Sequence, residues 1–286
     1  MAADCPPPDP DPRPPGFVMP DGAWDCHAHV FGPLDRFPYV ADRSFTPPAA
    51  SVDVYARMLS RLGFGRGVLV QPSVYGTDNR AQAAALEAGN GHWRGVAVVD
   101  DDVSAEALSA LDAAGFRGAR FNLVYRGGVA RAALEAVARL IAPFGWHIQL
   151  FADVSRLDDL AALLAGLPVP TVIDHMGFVP AARGTNDPGF QSLLRTLGAG
   201  RAWVKLSGAN RITSRRTAPY DDVVPFARAL IAANPDRLVF GTDWPHVHLP
   251  VPMANTGALL GELAFWAPDL YVREKILVHN PARLYG

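Results

Sequence analysis

A chain of 286 residues with 49% hydrophobic side chains can bury one large core, and a single α/β barrel of ordinary length takes up nearly all of it. A formal net charge of -2 and the lack of any basic run leave no electrostatic case for nucleic acid or an anionic membrane as partner, so a small molecule is expected. Two cysteines, Cys5 and Cys26, cannot make a disulfide framework, and neither a leader pattern nor an apolar run of membrane-spanning length is present, so a reducing, cytoplasmic setting is the expectation.

Residues 1–20 read as a disordered, polyproline-like tail, because seven of positions 6–15 are proline and nothing there can bury. From residue 21 to 286, short apolar or β-branched runs alternate with Ala/Leu-rich stretches of helical period. The strands are expected at 24–30, 67–71, 95–99, 118–122, 147–151, 171–174, 202–206 and 238–242. Helices are expected between them at 51–62, 79–88, 105–114, 130–142, 156–165, 188–198 and 221–233, then at 255–265, with a short closing helix at 272–279. Eight strands and eight helices in strict alternation predict a (β/α)8 TIM barrel in a single domain.

That fold requires chemistry to collect at the C-terminal ends of the strands. Strand one ends in His27 and His29, strand two in Gln71 and Ser73, and strand four in Arg120 and Asn122. Gln149, Asp174 with His175, Lys205 with Ser207, and Asp243 end strands five to eight. His27 and His29, two apart on a strand, share one side, and Cys26, just before them on the same strand, is expected to face away. Such a pair can ligate Zn²⁺ or Mn²⁺ or polarise a carbonyl oxygen; the plainer alternative is two core histidines bonded to nearby backbone. Asp243, in "VFGTDWPH", is placed to act as a general base toward water, as a metal ligand, or as a simple loop cap. His175 follows the same logic, with Asp174 either its buried orienting partner or an outward helix-side cap. Only Lys205 and Lys275 are lysines, so a lone arginine carries little weight; Arg120, inside "GARFN", escapes best, because it must face the mouth or be buried at high cost.

Read together and in order, "DCHAHVFGP", "QPSVYGTDN", "RFNLVYRGG", "DHMG", "KLSGANRIT" and "GTDWPH" make the chain from about residue 22 onward similar to the amidohydrolase superfamily. Within it, the chain resembles most the 2-pyrone-4,6-dicarboxylate lactonases and related TIM-barrel dicarboxylate hydrolases. The resemblance implies hydrolysis of a carboxylated lactone, with Asp243 activating water and His27, His29 and His175 around the scissile carbonyl. It implies Arg120, Arg126 and Arg211 as carboxylate-holding groups, a task that suits the forked guanidinium. Ser73, Gln71, Tyr75 and His248 are further expected contacts.

Binuclear members of the superfamily use a carboxylated lysine from strand four and a histidine from strand five. This chain offers Arg120, Asn122 and Gln149 there, with His147 too early on its strand, so a two-metal site is not expected. A single divalent cation such as Zn²⁺ or Mn²⁺ on His27, His29, His175 and Asp243 stays open on ligand type, while no required cofactor is the favoured reading. Phe45 stands where the family has a tyrosine, Phe178 where it has an arginine, and His248 where it has an amide, which puts the exact ring in doubt. The competing functions are a metal-dependent amidohydrolase or decarboxylase acting on a small carboxylated ring, and a non-catalytic carboxylate-binding barrel. Oligomeric state has no signature in the sequence.

Overall fold

The structure is a computed structural model that describes residues 2–286. Its eight barrel strands are β1 (Trp24–Ala28), β2 (Arg66–Val70), β3 (Trp93–Ala97), β4 (Phe116–Asn122), β5 (His147–Phe151), β6 (Thr171–Ile173), β7 (Trp203–Leu206) and β8 (Leu238–Phe240). They form one parallel sheet in sequential order. The sheet closes at the seam between β1 and β8. There the Asp243 backbone N–H donates to His27 O at 2.7 Å, and the His29 N–H donates to Trp244 O at 2.8 Å. Asp25 locks the same seam from the outer side. Its carboxylate accepts from the backbone N–H and the hydroxyl of Thr242, both at 2.8 Å, and from Tyr55 at 3.2 Å.

Seven of the expected helices fill the gaps between strands and one follows the last strand: α1 (Val52–Leu62), α2 (Arg80–Ala88), α3 (Ala105–Ala113), α4 (Leu134–Ile141), α5 (Leu160–Ala165), α6 (Pro188–Gly198), α7 (Val224–Ala233) and α8 (Thr256–Gly261). Tyr55, Met58, Leu59 and Leu62 recur at helical spacing on α1 and are buried against the barrel; the helix ends where Gly63 takes a left-handed φ of 81°. The α5 helix starts at Leu160 rather than 156, because the Asp159 carboxylate caps it by accepting from Ala162 N. The stretch 255–265 breaks at Glu262 into α8 and a second short helix, Leu263–Trp266. The closing helix is longer than expected and runs from Leu270 to Tyr285 through a π-helical segment at Lys275–His279. A single helical turn at Ala209–Ile212, which carries Arg211, was not expected. No helix among the described residues is long and apolar enough to cross a membrane.

The barrel interior has a small apolar floor of Trp24, Cys26, Val68, Val70, Val96, Val172, Trp203 and Val239, closed below by Tyr285 stacked on Trp24. Cys26 is therefore inside, contrary to the expected alternation. An irregularity between Asp25 and Ala28, three residues on β1 against two on β2, inserts one extra residue and turns His27 inward as well. The N-terminal residues, expected as a disordered tail, lie against the barrel, starting at its mouth and running down its outside between α1 and α8. Ala3–Asp4 forms a short parallel pair with Phe45–Thr46, and Asp9, Asp11 and Arg13 bond the side chain of Asn255. Proline removes backbone donors, so side chains of the barrel supply the partners.

Candidate active site

Above the apolar floor sits a buried polar layer built from four strands, β1, β5, β7 and the end of β6. The Lys205 ammonium donates to Gln149 Oε1 at 2.7 Å and to Cys26 O at 2.8 Å, and lies 3.4 Å from His27 Nδ1. Gln149 Nε2 donates to Asp174 Oδ2 at 3.0 Å, and Asp174 Oδ1 lies 3.4 Å from His27 Nδ1. Asp174 is thus buried beside His27 and is neither the orienting partner of His175 nor an outward cap, the two roles the sequence left open; His175 turns its Nδ1 to Ser207 instead. Burial alone would raise the Asp174 carboxyl, but Lys205 and Arg120 hold it below its ordinary value. Burial pushes Lys205 down to about 8 against the pull of Asp174.

The mouth layer brings together His27, His29, His175, Arg120, Arg211 and Asp243, all buried. His27 Nε2 and His175 Nε2 approach the same oxygen, Asp243 Oδ1, at 3.9 and 3.8 Å. The other carboxylate oxygen accepts from Arg211 Nε at 2.6 Å, and Arg211 Nη2 donates to Val247 O at 3.1 Å. Burial raises Asp243 above the usual carboxylate range, with Arg211 opposing. Burial also works against the charge on Arg211, but Asp243 and Tyr125 outweigh it and raise its pKa. His175 and Asp243 hold left-handed φ values of 51° and 63°, a backbone strain that clusters at functional sites and here aims both side chains into the barrel.

Hydrogen-bond partners set what each imidazole can offer. His29 Nδ1 lies 2.7 Å from Val70 O, and a carbonyl only accepts, so the neutral ring carries its proton there and a lone pair at Nε2. His175 Nδ1 meets the Ser207 hydroxyl at 2.9 Å, which can donate or accept. Burial holds all three rings neutral: it takes His29 down to about 3, and with Lys205 it takes His27 well below the imidazole range. His175 is likewise lowered, by burial and then by His27. His27 Nε2, Asp243 Oδ1, Arg120 Nε, Arg211 Nη1 and Ser73 Oγ are buried without a hydrogen-bond partner among the described residues. Of these residues, Ser73, Arg120, Arg211 and Asp243 line a cavity together with His29, His175, Phe45, Asn122, Tyr125, Phe151 and Val247, with room for about 20 Å³, one water-sized sphere, and His27 lies just behind it against Asp243. A larger cleft between α2 and α3, lined by Ala83, Val98, Val99 and Leu111, has Asp78, Arg80, Asp100 and Asp102 as its charged groups and none of the expected site residues.

The other expected contacts lie outside this cavity lining. Arg126 is largely exposed and pairs with Asp42 at 3.2 Å. Gln71 turns its amide to Gly76 O and Asp78 O, while its backbone carbonyl accepts from Arg120 Nη1 at 3.1 Å. The Tyr75 hydroxyl accepts from Gly32 N, and His248 stacks on Phe45 with ring centroids 5.4 Å apart. Phe45 does line the cavity, whereas Phe178 packs on Phe151 at 4.8 Å behind it. Sequence reasoning missed Tyr125 and the apolar wall of Phe151 and Val247. Tyr125 was visible in "RFNLVYRGG" as a phenol just after a strand end, but nothing local says that its loop folds inward.

His27, His175 and Asp243 offer ligand atoms within 4.8 Å of one another. The nitrogen and oxygen donors and the unpartnered atoms at their centre fit one divalent ion of the zinc or manganese kind.

An eight-stranded parallel barrel with histidines on β1 and after β6 and an aspartate after β8 defines a hydrolase-type barrel site. The chain belongs to the amidohydrolase family, whose model, described as "Amidohydrolase", matches residues 24–286. It is 40% identical to a 4-sulfomuconolactone hydrolase of Rhizobium radiobacter, over 94% of this chain and 92% of that protein. It is 37% identical to a 2-pyrone-4,6-dicarboxylate hydrolase of Comamonas testosteroni, over 96% and 93%. A solved structure from Acinetobacter baumannii with citric acid bound shares 27% identity and superposes with a TM-score of 0.80, covering 93% of this chain and 99% of that one.

Proposed function

We propose that this chain opens a small carboxylate-bearing lactone, of the 2-pyrone-4,6-dicarboxylate type, by adding water with Asp243 as general base and with no metal required. The observation that carries this reading is the approach of His27 and His175 to the single free oxygen of Asp243, at 3.9 and 3.8 Å, beside the unpaired edges of Arg120 and Arg211. Asp243 Oδ1 takes a proton from water while the water oxygen bonds to the lactone carbonyl carbon, giving a tetrahedral oxyanion. Collapse breaks the ring C–O bond, and the departing oxygen takes the proton back from Asp243. Burial that raises the carboxyl strengthens it as a base, and Arg211 on its other oxygen keeps it ionised.

The imidazoles divide their labour. His27 can accept at Nδ1 from Lys205 and His175 at Nδ1 from Ser207, which leaves each with an N–H at Nε2 for the oxyanion. His29, with its proton committed to Val70, offers only a lone pair and orients the water. Arg120 and Arg211 are the carboxylate-holding groups; Arg126, on the outer surface, is left out of the proposal. Were an ion bound, His27, His175 and Asp243 would hold it, and it would acidify water and polarise the carbonyl. The guanidiniums of Arg120 and Arg211 beside the carboxylate oppose a second positive charge and favour the metal-free route.

The test is acid release from a panel of carboxylated lactones by the native protein and by Asp243→Asn, with and without EDTA. The expected result is chelator-resistant turnover that falls by about 1,000-fold in Asp243→Asn, with KM changed only a few-fold. Unchanged turnover in Asp243→Asn would overturn the assignment of the base. Activity lost on chelation and restored by Zn²⁺ or Mn²⁺ would transfer the reading to the metal-dependent alternative.

A further inference from the structure

The cavity has room for about 20 Å³, so a substituted ring cannot enter until part of its wall moves. Two wall residues, Phe45 and Val247, lie on the two mouth loops that the N-terminal segment ties down. Ala3 and Asp4 pair with Phe45 and Thr46, and Cys5 N–H donates to Thr46 O at 2.9 Å. Cys5 Sγ accepts from the backbone N–H of His248 at 3.3 Å, and the His248 ring stacks on Phe45 and meets Tyr125 edge-on at 5.0 Å. One short segment therefore bridges both loops and backs the aromatic wall.

Its far end is seated in a fitted groove. Asn255 Oδ1 accepts from Arg13 N at 2.9 Å, Asn255 Nδ2 donates to Asp9 Oδ2 and Asp11 O, and Arg61 pairs with Asp11 and donates to Pro12 O. Two glycines of α8 make the notch. A Cβ on Gly257 would overlap Arg13 O within bonding range, and one on Gly261 would come within 2.8 Å of Pro15 O. Glycine is costly inside a helix, and here its missing side chain is occupied by the passing backbone.

We infer that residues 3–15 form a latch that holds the barrel mouth shut, so that seating of this segment and occupation of the cavity by a ring-sized anion oppose each other. The inference goes beyond the proposed reaction and asks only that the cavity take such an anion. Coupling of this kind is reciprocal: whatever unseats the latch favours the ligand by the same factor that the ligand favours unseating.

Gly257→Ala tests it, because alanine is accommodated by the helix but not by the seated segment. Cys26 is fully buried, so the rate of thiol modification by a disulfide reagent reports on Cys5. Citrate serves as the anionic probe, measured by calorimetry, with Arg211→Gln as the control that assigns its binding to this cavity. The expected results are at least tenfold faster Cys5 modification in Gly257→Ala, citrate binding roughly tenfold tighter than to the native protein, and faster Cys5 modification of the native protein when citrate is added. Unchanged modification in Gly257→Ala would overturn the seat. Faster modification with equal citrate affinity would overturn the latch while leaving the anion site intact, since the Arg211→Gln control reads that site separately.

Discussion

Asp25 should be among the residues whose loss costs the fold most, and its cost should depend on pH in a direction set by its environment. In Asp25→Ala, the N–H groups of Thr242 and His27 and the hydroxyls of Thr242 and Tyr55 lose their buried acceptor. The hydroxyls can turn to other acceptors, whereas the two N–H groups cannot. At about 1–3 kcal/mol for each unsatisfied group, the variant is expected to lose about 4 kcal/mol at pH 7. Burial, opposed by these same hydrogen bonds, raises the Asp25 carboxyl to about 6 from an ordinary 3.8. Between those values the native state keeps a proton that the unfolded chain has released, so the group's contribution falls as pH rises. Going from pH 7 to pH 5, the native protein regains about 1 kcal/mol that the alanine variant has no means to regain. Urea unfolding of both proteins at the two pH values measures this, because every other titrating group cancels in the difference. The loss should be about 1 kcal/mol larger at pH 5; a loss smaller at pH 5 than at pH 7, or below about 1 kcal/mol throughout, would refute the reasoning.

The remaining predictions concern charge. Arg211→Gln removes the group that opposes burial at Asp243, so the acid limb of the activity profile should move to higher pH, with activity at pH 6 falling at least about tenfold more than at pH 9. Arg211→Lys keeps the charge and should shift the limb less. Lys205→Met leaves buried Asp174 facing Arg120 at 3.6 Å without its ammonium partner and should cost about 3–5 kcal/mol in urea unfolding. Acid should destabilise the protein from pH 6.5 downward. Burial holds His27, His29, His147, His175 and His246 neutral in the native state, while the unfolded chain protonates them. Asp25, at about 6, and Glu262, raised by burial to about 7, work in the opposite direction, as does Asp243. The net excess of two to three groups predicts a fall of roughly 3–4 kcal/mol per pH unit between pH 6 and 5, read from urea midpoints.

The alternation of strand and helix was legible because each strand is buried on both faces and each helix on one, which leaves continuous apolar runs and periodic ones respectively. The histidines, Asp243 and Arg120 were legible for a related reason: a parallel barrel gathers its strand ends, and these residues sit at strand ends. Cys26 shows where local reasoning stops, since one inserted residue in β1 reverses the facing of its neighbours, and no composition signal marks it. Arg126 shows the same for loops, where four residues beyond Asn122 the chain has already turned outward to Asp42. Lys205 read as one strand-end polar group among several; its partners Gln149, Asp174 and Cys26 come from three other strands, and only closure of the ring brings them together. The N-terminal segment was opaque because its partners are side chains such as Asn255 and Arg61, far away in sequence.

The bond from Asp243 to the His27 carbonyl ties the first strand of the barrel to the residue that follows its last. Ring completion and assembly of the proposed acid–base machinery are therefore a single event, and a chain that has folded all but its final strand holds the histidines and the arginines without Asp243. Turnover, in such a molecule, reports on the last step of folding. Partly built barrels are therefore expected to show no turnover, whatever their helix content.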